Sequence, residues 1–145
     1  MKKIHRSALL THSAMNMYLL VNDVEQYAHF LPWCEQAEVL SCSDTELEAR
    51  LTIRRAGMSG AFVTHNCMAP GERIEMQLKE GPFHYLRGAW EFRALTDRAC
   101  KVCLELTFDM PPGLLKGAVE RLLEQSANGL FDAFCSRADH VYGRS

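Results

Sequence analysis

Six cysteines and six histidines have the widest chemical repertoire in this chain, and their spacing decides what they can do. Cys100-x-x-Cys103 has the interval of a metal or redox pair. It falls in an alternating segment, and on a strand residues three apart point to opposite faces, so the two thiols cannot grip one ion without distortion. The histidines are scattered, with no two spaced to share a helical face, and no metal site is expected. Cys34 and His29 flank Pro32 as a conceivable nucleophile and base, but no orienting carboxylate or oxyanion donor can be named beside them. A cyclase or aromatase would need a polar group deep in a pocket. Glu35, His65, Tyr85 and Arg87 are the candidates, and alternation turns none of them clearly inward. No catalytic residue is therefore expected, and the chain reads as a binding protein rather than an enzyme.

The segment Tyr27-Ala28-His29-Phe30-Leu31-Pro32-Trp33-Cys34 carries the strongest signal. It gathers large apolar groups around a proline that cannot continue a helix. Such a loop folds over something apolar, either a plain core or a ligand.

The elements that must position it follow from periodicity. Residues 3–11 alternate and read as a strand. Ser13 is a candidate N-cap for a helix through Leu20, and Asp23 for a second short helix, Val24 to His29, closed by Pro32. A strand is expected from Val39 to Cys42. The cleanest alternation follows, with Leu47, Ala49, Leu51 and Ile53 opposite Glu48, Arg50, Thr52 and Arg54. Gly57-Met58-Ser59-Gly60 reads as a hairpin or bulged connection, with strands at 61–69, around 74–79, at 83–95 and over about 102–109. On the strand beginning at Phe83, Leu86, Gly88, Trp90 and Phe92 share a face; Gly88 marks a bulge or makes room for something close to the backbone. Beyond Pro111-Pro112-Gly113, residues 114–142 keep helical spacing, with Leu115, Val119, Leu122, Leu130, Phe134 and Val141 on one stripe and Arg121, Asp132 and Asp139 opposite.

Strands joined by short turns are mostly antiparallel, and the long helix is the element able to cover their apolar face. The expectation is one α+β domain spanning 1–145: a curved antiparallel sheet of about six to seven strands around a long C-terminal helix, with two short helices after the first strand. A sheet wrapped round one helix leaves a gap where it curves away, and mostly apolar concave spaces are the usual form of small-molecule sites. Burying a polyisoprenoid or acyl tail there would contribute about 0.8 kcal/mol per methylene.

Composition sets the outer limits. A chain of 145 residues suits one domain, and 16 basic against 18 acidic residues argue against a general nucleic-acid binder without excluding a local basic patch. No apolar run approaches the roughly 20 residues needed to cross a bilayer, and no secretory signal is convincing. The cysteines show no disulfide-framework spacing, so a reduced cytoplasmic protein is expected.

Four motifs in the same order resemble a known family: Tyr27-x-x-Phe30-Leu31-Pro32-Trp33-Cys34, Phe62-Val63-Thr64-His65-Asn66, Leu86-x-Gly88-x-Trp90-x-Phe92, and Ala133-Phe134-x-x-Arg137-Ala138-x-x-Val141-Tyr142-Gly143. Together they are similar to the coenzyme Q-binding and ribosome-association toxin family of START-like proteins, in the polyketide cyclase/lipid transport superfamily. The resemblance covers nearly the whole chain. It implies the helix-grip fold and a cavity for ubiquinone or a related isoprenoid lipid, bound in support of respiration with no cofactor required. For bacterial members it implies, as the alternative, binding to the large ribosomal subunit that blocks subunit joining.

The expected ligand-binding residues are Phe30, Trp33, Leu51, Leu86, Trp90 and Phe92 at the entrance and sheet wall, with Leu122, Leu130 and Phe134 on the helix side. Basic residues gather at Lys2, Lys3 and Arg6 and at Arg50, Arg54 and Arg55. If their strands are neighbours they form a modest positive strip, which reads as a solvated face or as a contact to ribosomal RNA through Arg50, Arg54 and Arg55. The expected partners are a hydrophobic small molecule, the large ribosomal subunit and a transient membrane contact, but not DNA.

Overall fold

The computed structural model describes residues 1–55, 58–113 and 116–143, with the side chains at 55, 58, 59, 116, 119 and 122 outside that description. The elements run β1 (Lys2–Leu10), α1 (Ala14–Asn22), a 3-10 helix (Val24–His29), β2 (Cys34–Cys42), β3 (Glu46–Arg55), β4 (Met58–Ala69), β5 (Arg73–Glu80), β6 (Tyr85–Thr96), β7 (Ala99–Asp109) and α2 (Lys116–Tyr142).

Local chemistry accounts for the boundaries. Ser13 Oγ accepts the Asn16 backbone N–H at 3.1 Å and starts α1. Asp23 does not cap the next helix as expected. Its backbone N–H closes α1 on the Leu19 carbonyl at 3.1 Å, its side chain makes no capping bond, and the six following residues wind as 3-10. β2 starts at Cys34 rather than Val39. Register shifts at Cys34/Gln36 and Val39/Ser41 break its alternation, which hides its first half from a period-two reading. β4 begins at Met58, so residues 58–60 are strand rather than connection, while Gly57 lies outside the described residues. Gly71, in the short connection between β4 and β5, has φ 77°, a conformation that favours glycine.

All seven strands pair antiparallel in one curved sheet of order β1-β7-β6-β5-β4-β3-β2. β1 thus sits at one edge and β3 next to the other, with four strands between them. The positive strip that required those two strands to be neighbours does not form.

α2, about 40 Å long at 1.5 Å per residue, crosses the concave face. Its buried apolar residues are Ala127, Phe131, Phe134 and Ala138. Of the expected stripe, Phe134 is buried and Leu130 half-buried, whereas Val141 is exposed; Leu115 and the side chains of Val119 and Leu122 lie outside the described residues. The real stripe is turned so that Phe131 faces in. Trp90 stacks on Phe131 (centroids 6.0 Å) and on Phe92 (6.2 Å) and meets the edge of Phe134 at 5.3 Å, while Tyr18 of α1 packs edge-on against Phe92 at 5.9 Å. Each such pair adds about 0.5–1.5 kcal/mol beyond burial alone. Polar ties hold α2 to the β1 edge: Arg6 reaches Asp132 at 2.6 Å and lies over the Phe131 ring, and buried His12 meets Asp139 at 2.7 Å.

Candidate ligand cavity

The layer between sheet and helix is solid at one end and hollow at the other. Around the C-terminal half of α2 the aromatic cluster fills it. Toward the N-terminal half, small residues coincide from both sides, Ala49 and Gly88 on the sheet and Ser126 and Ala127 on α2, and a cavity of about 140 Å³ remains. A dry hollow of about 150 Å³ accepts a benzene-sized molecule. The space therefore holds one ring or its equivalent, and a long isoprenoid tail must extend beyond it.

Six of the nine expected residues line this space: Trp33, Leu51, Leu86, Trp90, Leu130 and Phe134. Phe30 and Phe92 do not. Phe92 is buried between Trp90 and Tyr18, and Phe30 packs on Tyr27 and Phe134, 5.1 Å from the latter, with the Arg137 guanidinium over its ring. The side chain of Leu122 lies outside the described residues. Gly88 marks no bulge, since its pairing with Met76 and Leu106 is regular. A Cβ there would stand 2.8 Å from Met76 Cε and 3.0 Å from Leu106 Cδ1, so the absent side chain makes room for its strand neighbours.

A surface groove adjoins the cavity. It runs between Phe30, Pro32 and Trp33 on one bank and Ser126, Gly129, Asp132, Ala133 and Ser136 of α2 on the other. Trp33 and Ser126 border both spaces, so the proline–tryptophan corner stands between the hollow and the groove.

Sequence reasoning missed the polar side chains of the wall. Thr64 and Asn66 project inward from β4, buried, whereas His65 between them is half-exposed and faces Glu46 and Glu48. The strict alternation of 64, 65 and 66 could have shown this. Asn66 Oδ1 and Trp33 Nε1 are buried with no hydrogen-bond partner, a cost of about 1–3 kcal/mol for each such group. No carboxylate, imidazole, ammonium or guanidinium lines the cavity among the described residues. A charged ligand group would find no counter-charge there.

The residues weighed for catalysis lie elsewhere. Glu35 pairs with Arg54 at 3.1 Å, Arg87 is exposed, and neither they nor His65 or Tyr85 line the cavity. Cys34 is buried; desolvation pushes its thiol pKa up, and Sγ donates to the Gln36 carbonyl at 3.5 Å. Buried Tyr27 donates its hydroxyl to the Val21 carbonyl, and desolvation raises its pKa as well. Cys100 is buried while Cys103 is half-buried, as opposite faces of β7 require.

Comparison with known proteins places this geometry. The family model described as polyketide cyclase / dehydrase and lipid transport matches residues 10–135. The ribosome association toxin RatA of Pseudomonas aeruginosa is 46% identical over 140 residues, covering 97% of each chain. RatA of Escherichia coli K12 is 37% identical, covering 98% of this chain and 90% of its own. A mitochondrial coenzyme Q-binding protein COQ10 homolog B of Xenopus laevis is 26% identical over 95% of this chain and 58% of its own. Among solved structures, the Zhui aromatase/cyclase from Streptomyces sp. R1128 superposes with a TM-score of 0.87 at 16% identity over 99% of both chains. A START superfamily protein from Mycobacterium smegmatis gives 0.81 at 19% identity, over 96% of this chain and 98% of its own. These two likenesses are of fold.

Proposed function

Since the chain belongs to the polyketide cyclase/dehydrase and lipid transport family, and within it to the ribosome association toxins, we propose that it associates with the large ribosomal subunit and hinders subunit joining, as a binding protein rather than an enzyme. The observation that carries this reading is the similarity to RatA proteins along essentially the whole chain, closer than that to the coenzyme Q-binding relative.

A surface of the fold suits the partner. Arg93 on β6 and Lys101 on β7 are direct cross-strand neighbours, both exposed, and Arg98 stands on the turn joining the two strands. Like charges directly opposite destabilise a sheet. None of the three has a carboxylate within ion-pair distance among the described residues, whereas Arg50 lies 3.9 Å from Glu38 and Arg54 3.1 Å from Glu35. The side chain of Arg55 lies outside the described residues. The phosphate contact is therefore assigned to Arg93, Arg98 and Lys101 in place of Arg50, Arg54 and Arg55. Exposed Leu9, which pairs with Lys101 from β1, and exposed Leu95 border the patch.

The test is subunit joining followed by light scattering with purified subunits. The wild-type chain is expected to slow joining, and the Arg93→Glu/Lys101→Glu variant to lose that effect. Equal inhibition by both would remove the patch from the account; no inhibition by either would overturn the function.

A second reading rests on the cavity. Its apolar wall and single-ring volume support capture of an uncharged hydrophobic molecule, a quinone or related isoprenoid, with the tail leaving along the Pro32–Trp33 groove. Mass spectrometry of an organic extract of the native protein tests this directly. An extract without such a molecule, together with no rise in melting temperature on adding a short-chain quinone, would refute it.

A further inference from the structure

The outer face of the sheet, opposite the cavity, brings together three side chains that the spacing along the chain keeps apart. Glu46 on β3 and Cys67 on β4 are direct cross-strand partners, and His65 lies two residues from Cys67 on the same strand face. The carboxylate, imidazole and thiol donor atoms all lie within 4.8 Å of one another, with His65 Nε2 already 3.3 Å from Glu46 Oε1. We propose that Glu46, His65 and Cys67 form a binding site for a divalent transition metal of the zinc type.

The donor set fits that chemistry. Zinc takes thiolate sulfur, imidazole nitrogen and carboxylate oxygen at about 2.0–2.3 Å, and three protein ligands leave a fourth position for water. Small side-chain rotations on two paired strands bring these donors to that spacing. One carboxylate and one thiolate balance a dication, the thiol proton passing to solvent as the metal binds.

The neighbours complete the arrangement. His65 Nδ1 is 3.3 Å from Glu48 Oε1, and Lys79 Nζ holds both Glu48 oxygens at 2.9 Å. A carboxylate on the far nitrogen fixes the tautomer that presents Nε2 to a metal. Glu48 is here a positioning residue. These ligands converge through hairpin register, which helical and Cys-x-x-Cys spacings do not carry.

The site is independent of ribosome association and of the cavity. The experiment is titration of the purified, metal-free protein with Zn²⁺ by calorimetry and with Co²⁺ by absorption spectroscopy. One equivalent is expected to bind, with a thiolate-to-Co²⁺ charge-transfer band. Cys67→Ser should abolish the band, and His65→Ala should weaken Zn²⁺ binding at least tenfold. Glu48→Gln should weaken it about 10- to 100-fold while keeping the band. Cys42→Ser, an exposed thiol outside the trio, should change nothing. Absence of the band in the wild type, or Zn²⁺ binding unchanged in both Cys67→Ser and His65→Ala, would overturn the proposal.

Discussion

Individual side chains in this protein report their surroundings chemically. Cys100 is fully buried, and desolvation pushes its thiol up to about 11; Cys34 is shifted in the same direction by the same cause. Thiolate is the reactive form, so both should resist alkylation, while exposed Cys42 and Cys67 react. In native, metal-free protein at pH 8, mass mapping after brief iodoacetamide treatment should find Cys42 and Cys67 modified well before Cys34 and Cys100. Rapid modification of Cys34 would contradict its burial. Asn66 makes a second test. Its carbonyl oxygen is buried without a partner, so Asn66→Leu should stabilise the ligand-free protein by about 1 kcal/mol in urea denaturation. A loss of that size would mean that the amide is satisfied.

Elements are held by short, local devices. Ser13 supplies the N-cap of α1, and Ser13→Ala should cost about 1 kcal/mol, read from the urea midpoint. Helix caps of this kind, and strands with unbroken alternation such as β3, are legible in the sequence because a few neighbouring residues decide them. Three features were not legible, each for a physical reason. The first half of β2 is masked by its register shifts. The inward face of α2 is partly made by Ala127 and Ala138, whose small side chains weaken the apolar stripe, so the spacing points to Val141 while Phe131 faces in. The basic strip required knowing which strands are neighbours. Alternation within a strand does not carry that information, and the pairing of β1 with β7 separates Arg6 from Arg50. The candidate cavity shows the same division. Trp33, Leu51, Leu86 and Trp90 are legible because they sit on apolar faces, whereas Thr64 and Asn66 are not because they are polar residues on an inward face.

At the scale of the whole molecule, seven antiparallel strands and one long helix enclose a layer that aromatic packing fills at one end and small residues leave open at the other. The outer sheet face is thereby freed for other work, with the Arg93, Arg98 and Lys101 patch at one place and the Glu46, His65 and Cys67 trio at another. No helix among the described residues is long and apolar enough to cross a membrane. An interaction built on about three phosphate contacts should weaken steeply with salt, with a log–log slope of about −2 to −3. Ribosome association is read out by sedimenting the protein through sucrose with purified large subunits and, separately, with small subunits, over a series of salt concentrations. Co-sedimentation with the large subunit alone, lost as salt rises, is the expected result. Failure to sediment with large subunits at low salt, or equal binding to both, would contradict it.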